Sequence, residues 1–228
     1  MNEYSEIYQG FNAPIHVLDC GKKCAPHNDF GIPFCCDTNH AVPTAYKTEW
    51  AYLSKHTNLW HLWRSDSVED QNCLEKQTPD HQVLIACLGH QDCQRDFRSI
   101  TCRAFPFFPY VTSTGKFIGL SYYWEYEERC WAISHLEQVT DEYRAQFIIT
   151  YEGIFERNQQ ELENFHFHAQ MMRKIFSKKG RAIPLLHRNG RAYKITPHNE
   201  RLRRADAASF SKFGPYAIAD WLPFPDEA

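Results

Sequence analysis

The chain has 228 residues, 43% of them hydrophobic and 15% aromatic, enough for the core of one domain. A net charge of -3 leaves no broad cationic field for nucleic acid, and no apolar run approaches the roughly 20 residues of a membrane-spanning helix. The acidic start, Met-Asn-Glu-Tyr-Ser-Glu, is not that of a secretory signal, so the reading is a cytoplasmic protein with neither nucleic-acid nor membrane partners.

Residues 11 to 43 are turn-rich, broken by Pro14, Gly21, Pro26, Gly31, Pro33 and Pro43, and need something to hold them. From Thr44, an N-cap position, apolar residues at Tyr46, Trp50, Leu53, Trp60 and Trp63 predict an amphipathic helix to about Arg64. Residues 65 to 82 are polar and read as a surface connection carrying Cys73. Phe107 to Tyr110 and Phe117 to Trp124 flank Ser113-Thr114-Gly115-Lys116 and predict a β-hairpin.

Thr140, with Asp141 and Glu142 after it, starts a helical pattern that Gly180 ends. Its length suggests a division at Gly153 or at Asn158-Gln159-Gln160. Ile183 to His187 and Arg191 to Ile195 surround Arg188-Asn189-Gly190, a second hairpin with a tight Asn-Gly turn. Arg201, Arg203 and Arg204 form a basic patch, read as a solvated face, before an aromatic and proline-rich end.

The nine cysteines carry the chemistry. In a reducing compartment they favour metal ligation or thiol chemistry over disulfides, and an odd number cannot all pair. The spacings are Cys20-x3-Cys24, ten residues to Cys35-Cys36, then Cys87-x5-Cys93-x8-Cys102, with Cys130 beyond. Soft thiolates gathered in fours suit zinc or an iron–sulfur cluster, and sequence does not separate the two. Adjacent cysteines in extended chain face opposite sides, so Cys35 and Cys36 serve one ion only if the loop turns between them.

This ensemble resembles the YkgJ-type cysteine-cluster family, whose members are described as zinc- or iron-chelating. The resemblance lies at Cys20, Cys24, Cys35 and Cys36, then at Cys87, Cys93, Arg98, Cys102, Arg103, Phe105 and Pro106, and covers roughly residues 15 to 135. Its second half, ending in Cys102-Arg103-Ala104-Phe105-Pro106, is the specific part; the first half has wider gaps than the family's compact CxxCxxCC. The related flagellin lysine N-methylases associate an iron–sulfur centre with methyl transfer, so the resemblance also implies a protein-modifying role with a protein partner or substrate.

The expectation is an α+β single domain over 1–228. Residues 11–135 form an irregular cysteine-rich metal-binding core with a β-hairpin, and 136–228 add long helices and a second hairpin. Expected ligands are Cys20, Cys24, Cys35, Cys36, Cys87, Cys93, Cys102 and Cys130, with Cys73 outside the set and Arg98 and Arg103 offsetting thiolate charge. Whether the chain is an enzyme stays open. No dinucleotide, P-loop or Gly-x-Ser-x-Gly motif occurs, and Glu163-x-x-His166 lacks the second pair of a di-iron bundle. A thiol redox sensor is a further reading.

Overall fold

The computed structural model describes residues 3–217; the aromatic and proline-rich end falls largely outside them. The described residues form an α+β protein with eight α-helices and two antiparallel sheets. Backbone contacts cluster into two units, residues 3–12 with 24–105 and residues 13–23 with 106–217, a partition that differs from the 11–135 and 136–228 division drawn from sequence.

The first unit contains α1 (Glu3–Gly10) and one end of α2 (Cys20–Cys24). It also holds β1 (Thr44–Tyr46), α3 (Lys47–His56), β2 (Trp60–Leu62), α4 (Val68–Gln77), β3 (Gln82–Cys87) and α5 (Ile100–Ala104). The sheet order is β1-β3-β2, with Thr44 opposite Leu84 and Trp60 opposite Cys87. Phe11, Leu53, Leu59, Ile85 and Ile100 are fully buried.

The helix expected from Thr44 to Arg64 is shorter. Thr44 lies in a strand, and the helix starts only after Tyr46, whose N–H donates to the Glu49 carboxylate at 3.2 Å. It ends at His56 because Thr57 is extended, and Trp60 enters a strand. The polar stretch expected to be a connection contains α4, whose first turn is capped by the Ser67 hydroxyl accepting the Asp70 N–H at 3.2 Å. None of its residues is buried, which is why hydrophobic periodicity did not reveal it.

The second unit is a five-stranded meander, β4 (Phe107–Val111), β5 (Phe117–Tyr122), β6 (Ile183–His187), β7 (Ala192–Ile195) and β8 (Leu202–Ala205), in sequential order. It also holds α6 (Trp131–Ser134), α7 (Asp141–Arg157) and α8 (Gln159–Lys178), and α8 packs on β4. Both expected hairpins are present. Thr140 caps α7 by accepting the Tyr143 N–H at 3.1 Å. The long helical pattern divides at Asn158, which ends α7 and accepts the Glu161 N–H at 3.2 Å to start α8.

In the second hairpin only Gly190 has a positive φ, so the turn is a three-residue loop with a left-handed glycine and not a two-residue Asn-Gly turn. Gly119 sits where β5 and β6 approach closely, and a Cβ there would fall 2.3 Å from the Leu186 carbonyl oxygen. The basic patch at Arg203 and Arg204 lies on β8, the last strand of the sheet, where exposed charge discourages pairing with another chain. No helix among the described residues is long and apolar enough to cross a membrane.

Candidate metal site

Four of the expected ligands come from four separate segments of the first unit. Cys36 closes the short turn Phe34–Cys36, and its Sγ lies 4.0 Å from that of Cys35. Cys87 ends β3, Cys93 follows in the next loop, and Cys102 sits in α5, its N–H donated to the Ser99 hydroxyl at 3.2 Å. These thiols lie within electrostatic reach of one another: Cys36 and Cys93 act on Cys87, and Cys36, Cys93 and Cys87 all act on Cys102.

Burial raises the pKa of Cys87, Cys93 and Cys102, and that of Cys102 to about 12; the neighbouring thiols add to each rise. Backbone hydrogen bonds and nearby cations oppose it. The Gly89 N–H is directed at Cys87, in a Cys-x-Gly turn with Gly89 at φ 107. The Arg98 guanidinium is the largest favourable charge on both Cys93 and Cys102.

The two arginines divide their work. Arg98 has a buried Nε with no hydrogen-bond partner among the described residues, while its charge acts on Cys93 and Cys102. Arg103 also lowers the Cys93 pKa, and its guanidinium donates to Asn12 Oδ1 at 3.3 Å and to backbone carbonyls. It reaches Phe11 at 2.6 Å, Arg98 and Asp96 at 2.8 Å, Arg95 at 3.1 Å and Tyr8 at 3.3 Å. It thereby fastens the turn 95–98, which leads from Cys93 to Cys102, to the end of α1. Sequence could not distinguish these roles, since both residues are simply cations near cysteines.

Two buried carboxylates missed by sequence reasoning hold the surrounding chain. Asp37 accepts the Asn28 Nδ2 at 3.0 Å and the Asn39 N–H and Nδ2 at 3.0 and 2.9 Å, pinning the loop that carries Cys35 and Cys36. Burial pushes its pKa up, but these hydrogen bonds outweigh it and hold Asp37 below the usual range. Glu49 accepts the Tyr8 hydroxyl at 2.7 Å, the Ile100 N–H at 2.7 Å and the Tyr46 N–H at 3.2 Å, joining α1, α3 and α5. Burial raises its pKa to about 7. The only sequence signals for these hubs were an acid two residues before Asn39 and the Glu at the third position of α3.

All nine cysteines are thiols outside disulfides. Among the described residues, no group of three or more His, Cys, Asp or Glu side chains is arranged to hold a metal ion as it stands. Cys20 and Cys130 belong to the second unit, and Cys24 opens the main segment of the first as the buried end of α2. Cys73 is exposed on α4, where Gln77 Nε2 donates to its sulfur at 3.3 Å. Comparison with family models, curated proteins and solved structures finds no match to this chain.

Proposed function

We propose that Cys36, Cys87, Cys93 and Cys102 bind one metal centre, zinc or an iron–sulfur cluster, in a cysteine-cluster protein of the YkgJ type. The observation that carries this reading is the mutual electrostatic reach of four soft donors, two of which, Cys93 and Cys102, also feel Arg98, whose buried Nε–H lacks an acceptor. An unpaired buried donor is costly, and metal-bound thiolate sulfur is an acceptor of the right charge. The Gly89 N–H directed at Cys87 supports the same state, since hydrogen bonds to sulfur favour the thiolate.

Side-chain movement has to close the site, and the cation supplies the charge that the crowded thiols lack. Each ligand gives up a proton as it binds, so affinity rises with pH. Cys20, Cys24, Cys35 and Cys130 are retained as donors to further metal on the sequence alone. A protein substrate, as in the flagellin lysine N-methylases, likewise rests on the resemblance alone.

The test is metal analysis and visible spectroscopy of protein purified without oxygen. Bound iron with a sulfur-to-iron charge-transfer band assigns a cluster, and zinc without colour assigns a structural ion. Protein that carries neither metal and takes up neither on reconstitution refutes the reading.

One contact favours a second reading as a thiol switch. The Cys35 and Cys36 sulfurs, 4.0 Å apart, can join as a disulfide when an oxidant such as a peroxide removes two electrons and two protons are released. Mass mapping after mild peroxide treatment tests this, and a bridge confined to these two residues is the supporting result.

A further inference from the structure

The geometry points to an anion site in the second unit, fitted to the phosphate or diphosphate group of a small molecule. It lies in a cleft of about 520 Å³ between α8 and the loop joining β7 to β8. That volume falls within the roughly 300–1,000 Å³ of small-molecule pockets.

The loop is held in a strained form. Glu200, at φ 53, is the only non-glycine among the described residues with a positive φ. Its carboxylate keeps it there, accepting Arg173 Nη1 at 2.9 Å, the Tyr110 hydroxyl at 3.2 Å, the Ser113 N–H at 2.8 Å and the Ser113 hydroxyl. Arg173 is itself 8% exposed and also donates to the Val111 carbonyl at 3.0 Å. The Arg173–Glu200 pair lines the cleft, with His198 and Asn199 beside it.

The charge in the cleft is unbalanced. Lys174 and Lys178 line the cleft, are exposed, and have no ion-pair partner among the described residues. With Arg173 cancelled by Glu200, the positive charges of the two lysines remain. Lysines at i and i+4 stand on one helix face about 5–6 Å apart, so both ammonium groups converge on one ligand. Ser177 and Asn199 add neutral donors beside them. Two point charges with neutral donors match an oxygen-rich dianion better than a single carboxylate, which one lysine would satisfy.

The experiment is titration of the isotope-labelled full chain with pyrophosphate in about 0.15 M salt, where diffuse surface attraction is screened. Pyrophosphate is expected to shift the amide signals of residues 174–178 and 198–200. The double variant Lys174→Ala/Lys178→Ala, changed only at exposed positions, should bind at least tenfold more weakly. Lys55→Ala, an exposed cation of the first unit, should bind as the parent does. Acetate is the carboxylate arm and should produce no comparable shift. Absence of a pyrophosphate response in the parent, an equal response to acetate, or equal weakening by Lys55→Ala overturns the assignment.

Discussion

The Glu49 carboxylate accepts the Ile100 N–H at 2.7 Å, and that bond fixes the first turn of the five-residue helix that carries Cys102. A buried acid thus sets where one proposed ligand stands. Because burial raises Glu49 from 4.5 to about 7, the folded state holds its proton more tightly than the unfolded chain. Its contribution is fully present below pH 4.5 and is lost as pH rises through about 7. Denaturation of the first unit across that window should show a slope approaching about 1.4 kcal/mol per pH unit. Glu49→Gln should flatten it; an unchanged slope would show that another group is responsible.

The second unit should respond in the opposite direction. Burial holds His16 and His168 down to about 4, His16 also feeling His135, and His168 is enclosed by Phe108, Tyr123 and Trp124. Their contribution is present above pH 6.5 and lost as pH falls through about 4. His168→Phe should reduce this acid sensitivity. It should also stabilise the protein at pH 7 by about 1 kcal/mol, because the orphaned Nε2 is removed. Thermal melts at pH 5 and pH 7 measure both effects.

Arg103 should not tolerate lysine. An ammonium cannot replace a planar guanidinium that serves carbonyls on two sides, and it would leave buried carbonyls unpaired. Arg103→Lys should cost about 3 kcal/mol or more in urea denaturation. A loss under about 1 kcal/mol would mean that the clamp is dispensable.

Much of the second unit was legible because its signals are local: Thr140 as a cap, Gly115 and Gly190 at turns, and short apolar runs in β4 and β6. The first unit was less so. Its strands β1 and β2 have three residues each, too short to show a period, and α4 buries nothing. Cysteine spacing singled out eight thiols, Cys36, Cys87, Cys93 and Cys102 among them, without separating these four from the rest. Nor could spacing reveal that Arg103 faces carbonyls or that Asp37 and Glu49 hold the surrounding loops, because these depend on contacts between distant segments.

Arg98 should act on the metal more than on the fold. Arg98→Met keeps the apolar stem and removes the charge beside Cys93 and Cys102. Competition with a chelator should reveal affinity weakened by roughly 10-fold or more, with little change in the melt of metal-depleted protein. Equal affinity would separate Arg98 from the site.

The most direct measurement is the metal-to-protein ratio across single Cys→Ala variants purified without oxygen. Cys36→Ala, Cys87→Ala, Cys93→Ala and Cys102→Ala should each lose the same centre, while Cys73→Ala keeps it. Retention of full metal content by any two of the first four variants, or equal loss in Cys73→Ala, would contradict a shared four-thiol centre.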